Sequence, residues 1–146
     1  METSPTDAID AFYAAIRAKD AAQIETYYVQ DEGTYVILEG PRLATKGFAA
    51  IRKGWVDFCT SGLTLAGIDW LDGPFVETGA DMAWVGGIIR LSVELGMSAG
   101  ATRRFEQTFR ATFVMRAVEG NWKIRHEHVS GALADPYGIG DWLKTP

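Results

Sequence analysis

One cysteine, Cys59, stands among 146 residues, which excludes an intramolecular disulfide and any zinc site built from several thiolates. Long apolar runs are missing too. The longest stretch without a polar side chain, Met82 to Ile89, falls far short of the roughly 20 residues that span a bilayer. Positive charge is in deficit: 14 Lys and Arg against 19 Asp and Glu give a net charge of −5. Nothing therefore draws phosphate to the chain, and neither nucleic acid nor membrane is an expected partner. Met1 to Asp7 carries no basic segment followed by an apolar one, so the expected location is cytoplasmic. What remains is an ordinary globular composition, 47% hydrophobic and 12% aromatic, with no repeat and no linker. A single domain over residues 1–146 is expected.

The periodicity is helical first and alternating afterwards. Ser4 and Pro5 form a helix start, and Ile9, Phe12, Tyr13 and Ile16 follow on one face. Asp20 opens a short second helix. Thr34 to Leu38 reads as a strand, turned back at Gly40-Pro41 into a partner around Arg42 to Ala44. Phe48, Ile51, Trp55, Phe58 and Cys59 make one stripe of a third helix that Gly62 ends. Strands are then expected over 63–71, 82–95, 102–119 and 122–130, with Gly86 and Gly87 marking a bulge or bend. Helices followed by an antiparallel meander predict an α+β fold with the helices on one sheet face.

In the last hairpin, Phe105, Gln107, Phe109, Ala111, Phe113 and Met115 share the apolar side of one strand. A two-residue turn at Gly120-Asn121 or Glu119-Gly120 sets Trp122, Ile124, His126, His128 and Ser130 beside them. Both histidines are thus expected to point inward, with Arg125 and Glu127 outward beside Arg110 and Arg116.

Asp81 to Val85, Arg110 to Val114 and, above all, the stretch Gly120-Asn-Trp-Lys-Ile-Arg-His-Glu-His-Val-Ser130 resemble the SnoaL-like, or NTF2-like, superfamily. The resemblance covers roughly Pro5 to Gly131. It implies a cone in which N-terminal helices pack on a strongly bent, mostly antiparallel sheet enclosing a pocket, commonly dimeric through the outer sheet face. Its members include ketosteroid isomerases, polyketide cyclases, dehydratases, epoxide hydrolases and a kinase association domain, so the fold alone does not name a reaction. Isomerase-like and cyclase-like members need an inward strand carboxylate, which the expected register does not supply. Inward histidines with tyrosines match the residue types of scytalone-dehydratase-like members.

The expected site therefore has His126 and His128 as proton-transfer groups. Tyr13, Tyr35, Trp55, Gln107, Phe109, Phe113 and Ser130 are the expected binding residues. No cofactor is implied. A metal on His126 and His128 would need a third ligand that nothing fixes, and Cys59 reads as a buried thiol. The expected function is binding of an apolar, oxygenated small molecule, with isomerase, cyclase or dehydratase chemistry as what the histidines would allow. The competing expectation is a non-catalytic dimerisation or association module. A homodimer is expected because one sheet face is left uncovered. Beyond a core of about residues 5–131, the segment 132–146 carries Leu133, Tyr137, Ile139, Trp142 and Leu143, and is expected to pack as a strap on the cone or the dimer seam.

Overall fold

The computed structural model describes residues 3–135 with Tyr137, Gly138 and Gly140. Ser4 caps the first helix, α1 (Pro5–Ala18), accepting the Asp7 N–H at 3.1 Å while the Asp7 carboxylate reaches back to the Ser4 N–H. This reciprocal cap satisfies two N–H groups that the first turn leaves without partners. Ile9, Phe12, Tyr13 and Ile16 form its buried face. Asp20 caps α2 (Ala21–Glu25), its carboxylate accepting the Gln23 N–H at 3.1 Å. After β1 (Tyr35–Ile37) and β2 (Thr45–Lys46), the third helix α3 (Phe48–Thr60) is followed by four long strands. These are β3 (Leu63–Thr78), β4 (Met82–Gly96), β5 (Thr102–Val118) and β6 (Asn121–Ser130).

They make one six-stranded sheet in the order β2-β1-β6-β5-β4-β3. Only β1 and β6 run parallel. The fold is the expected α+β arrangement: helices on one face of a curved, mostly antiparallel sheet. Phe12 of α1 sits at the centre of the core, edge-on to Tyr28, Trp55 and Phe113 at 5.5–6.0 Å between ring centroids. Such edge-to-face contacts suit the aromatic quadrupole. No helix among the described residues is long and apolar enough to cross a membrane.

Three expectations change. The partner strand lies at Thr45–Lys46 rather than 42–44, leaving residues 38–44 as an open connection. The strand expected to stop at Leu71 runs on to Thr78, with breaks in register around Ala66, Leu71 and Gly73-Pro74. Gly86 and Gly87 do not bulge their own strand, whose pairing with β5 is continuous from Met82 to Gly96. The irregularity is across from them, on β3. A Cβ built on Gly87 would lie 2.2 Å from the Asp72 carbonyl oxygen, so the glycine lets the β3 backbone press against β4. Gly87→Ala is expected to cost about 1–3 kcal/mol, read as a lower urea midpoint. Gly54→Ala, in α3 with open space where its Cβ would sit, is expected to gain about 0.5–1 kcal/mol.

The β5–β6 hairpin turns on Glu119 and Gly120, both in the left-handed region (φ 51° and 80°). This is one of the two expected two-residue turns. Val118 faces Asn121 and Met115 faces Ile124, but the next pair is Val114 with His126. Arg125 is an extra residue with no partner on β5, a β-bulge. Of the C-terminal segment, Leu133 and Tyr137 are exposed in the single chain; Ile139, Trp142 and Leu143 lie outside the described residues.

Candidate functional site

The bulge at Arg125 decides which side chains reach the interior. Trp122 and Ile124 point into the core, Arg125 and His126 intervene, and Glu127 is the next inward residue, 2% exposed. The expectation for the histidines is thereby reversed. His128 is exposed, and His126 is half-buried on the outer side, stacked on Tyr35 with 5.6 Å between ring centroids and 13° between planes. Its Nδ1 lies 2.8 Å from the Tyr35 carbonyl oxygen.

Pairing along the other edge of β6 explains why the extra residue is there. The Ile124 N–H donates to the Tyr27 carbonyl at 2.7 Å, and the Val29 N–H donates to the Ile124 carbonyl at 2.9 Å. Further on, Tyr35, Val36 and Ile37 pair with His126, Glu127 and His128. Residues 30–34 loop out between these two stations, and Arg125 bridges to that loop. Its guanidinium grips Asp31 through two hydrogen bonds of 2.6 and 3.1 Å. The Arg125 bond, then the Gly33 N–H, hold the Asp31 carboxyl down at about 2. Gly33 leaves room for this grip, since a Cβ there would fall 2.6 Å from Arg125 Nη1 and push the guanidinium aside.

Glu127 and Thr34 are the only buried polar or charged residues among those described. Thr34 is satisfied by donating to the Val29 carbonyl. Glu127 accepts the Tyr28 hydroxyl on Oε1 at 2.6 Å, and the Tyr28 oxygen accepts the Trp55 indole N–H at 2.9 Å. Oε2 receives no hydrogen bond from any described residue. Burial pushes the Glu127 carboxyl up to about 7, against a smaller downward pull from the Tyr28 hydrogen bond. A carboxyl titrating there can both give and take a proton near neutral pH. The Tyr13 hydroxyl is buried and has no hydrogen-bond partner among the described residues. Burial first, then the nearby Glu127 and Asp10 carboxylates, raise its pKa and keep it a donor.

A cavity of about 590 Å³ opens between α3, the 38–44 connection and the concave face of the sheet. Tyr13, Trp55 and Glu127 line it, together with the apolar side chains of Val36, Ile51, Ile89, Leu91 and Phe109. Of the expected binding residues, Tyr13, Trp55, Gln107 and Phe109 border this space. Phe113 is fully buried behind it, packed on Phe12 and Tyr13. Tyr35 and Ser130 belong to the outer side: Tyr35 covers His126, and Ser130 accepts from Arg110 at 3.1 Å. The expected outward cluster of Arg110, Arg116 and Glu127 accordingly loses its acid. Burial raises the thiol of the half-buried Cys59, away from nucleophilic character. No three His, Cys, Asp or Glu side chains converge as a metal site among the described residues.

Glu127 was missed because strict alternation was carried through Arg125. The signal that could have found it is Val129, an apolar residue in the opposite phase from Trp122 and Ile124. Placing Ile124 and Val129 on one face takes one extra residue between them.

The sheet order, the helices and the cavity beneath them define a cone-shaped α+β domain. The SnoaL-like domain profile matches residues 6–135, and the chain belongs to that family. No curated protein matches it. Among solved structures it is similar to an NTF2-like superfamily protein from Salmonella enterica serovar Typhimurium, with TM-score 0.74 and 18% identity over 92% of this chain and 93% of that one. A ketosteroid isomerase-like protein from Erwinia carotovora atroseptica gives TM-score 0.71 and 16% identity over 88% and 94%. A candidate calcium/calmodulin-dependent protein kinase II association domain from Xanthomonas campestris gives 0.69 and 18% over 87% and 84%. At these identities the likeness is one of fold.

Proposed function

We propose that the cavity binds an apolar small molecule carrying a carbonyl or hydroxyl oxygen, and that Glu127 transfers a proton on it. The observation that carries this reading is a buried carboxyl titrating near 7 in the wall of a cavity whose inner lining is mostly apolar and whose exposed charges lie at the rim. Ionised Glu127 would take a proton from the carbon next to a carbonyl, while the uncommitted Tyr13 hydroxyl donates to the oxygen as it gains charge. Protonated Glu127 would then return that proton to another carbon, or to a departing hydroxyl. The first outcome is an isomerisation and the second a dehydration. This is the chemistry expected from the sequence with its proton-transfer group moved from His126 and His128 to Glu127.

An association module with a vestigial pocket is the weaker reading, since it calls for a filled cone. Assembly itself is a separate matter, and we retain the homodimer as part of the proposal. Trp84 and Met82 on β4 are exposed in the single chain, and they give the uncovered face apolar area to bury.

Proton abstraction can be read without knowing the natural substrate, from deuterium uptake at the acidic carbon of 2-tetralone in heavy water. The expected result is catalysed uptake that rises with pH through a midpoint near 7. Glu127→Gln should lower it by about 10²–10⁴-fold. Gly54→Phe, which projects a ring from α3 where Gly54 lines the cavity with open space at its Cβ, should lower it by blocking entry. Uptake by Glu127→Gln equal to that of the natural protein would defeat the proposal.

A further inference from the structure

The polar groups of the cavity lie at two depths. Tyr13 and Glu127 are buried, whereas Glu39, Arg42, Lys53, Asp57 and Gln107 are exposed residues in the same lining. Three of the four exposed charges are already engaged. Lys53 Nζ holds Asp57 Oδ2 at 2.6 Å, and Glu39 Oε2 accepts the Gly131 N–H at 2.6 Å. Arg42 makes no hydrogen bond or ion pair with any described residue. It stands on the 38–44 connection, at the solvent edge of an apolar space. Gln107, on β5, adds an amide equally without a partner among the described residues.

Resting on the reading that this cavity binds a small molecule, we infer that its ligand is an amphipathic acid whose anionic head is held by Arg42 at the mouth. The opposite orientation is disfavoured, because an anion among apolar side chains needs a partner and the charged group nearest the buried end is itself a carboxyl. At the mouth the head group keeps part of its hydration, meets an uncommitted guanidinium and can take two parallel hydrogen bonds from it. The ligand then enters with its acid outward, and the oxygen-bearing carbon is delivered toward Tyr13 and Glu127. Arg42 is thus a positioning residue, remote from the proton transfer.

Two fluorescent probes separate the acid from the apolar body: 1-anilinonaphthalene-8-sulfonate, and N-phenyl-1-naphthylamine, which is the same ring system without the sulfonate. The sulfonate probe is expected to bind the natural protein more tightly. Arg42→Gln should weaken it about fivefold, as should raising the salt, because a partly exposed ion pair is screened. The neutral probe should change less than about twofold on either treatment, an uncharged body having no ion pair to lose. Gly54→Phe should weaken both. Equal binding of the two probes, with Arg42→Gln silent, would overturn the anion inference while leaving the cavity reading intact. Sulfonate binding that survives Gly54→Phe would place the anion elsewhere and overturn it too. Failure of both probes to bind would remove the cavity reading, and the inference with it.

Discussion

Glu127→Gln is expected to stabilise the protein at pH 8 by about 3 kcal/mol and to leave it nearly unchanged at pH 4. The Glu127 carboxyl rises from an ordinary 4.5 to about 7 in the folded protein, and each unit of difference corresponds to about 1.36 kcal/mol. Between these two values the folded chain holds a proton that the unfolded chain has released. The contribution of Glu127 to stability is therefore greatest below about 4.5, falls as pH rises toward 7, and levels off above it. Glutamine keeps the shape and the acceptor for Tyr28 but never ionises, so this slope should vanish in the variant. Urea denaturation at several pH values, compared between the two proteins, isolates the effect. Parallel stability curves across pH 4–8 would mean that Glu127 is not buried as described.

Tyr28→Phe should have the second largest effect. The Tyr28 hydroxyl is the middle link of the chain from Trp55 Nε1 to Glu127 Oε1. Its removal opens only a small space while stranding a donor on one side and an acceptor on the other. A loss of about 1–3 kcal/mol is expected, the usual penalty for a buried polar group left unsatisfied. Because the hydrogen bond from Tyr28 favours ionised Glu127, the variant should also titrate at higher pH. The fall in stability, and the rise in deuterium uptake, should both move upward with it. A loss of stability with no movement of the pH midpoint would show that Tyr28 and Glu127 are not coupled.

The same residues show where sequence reasoning holds and where it stops. The helix signals were local and sufficient: Ser4 with Asp7, the stripe from Ile9 to Ile16, and Asp20 at the next start. The inward face of β5 and the turn between β5 and β6 were legible because alternation and a two-residue loop constrain each other. Glu127 was not. Its direction depends on the insertion at Arg125, which answers to partners on the other side of β6, at Tyr27, Val29, Asp31 and Tyr35. Within the hairpin's own period, only the opposite phase of Val129 marks a bulge whose partners lie more than ninety residues away in the chain. Tyr13 and Trp55 line the cavity from helices whose inward faces follow from local periodicity. Ser130 lies on the outer side with the histidines, its inward assignment resting on the same unbroken register, whereas that of Tyr35, on β1, rests on a likeness of residue types alone.

The central claim is that the bulge turns Glu127, rather than the histidines, into the cavity as an acid poised near neutrality. The most direct test is to follow its carboxyl carbon by NMR from pH 4 to 9, assigned by comparison with Glu127→Gln. A midpoint near 7 is predicted. A midpoint between 4 and 5, the range of an exposed glutamate, would contradict the account.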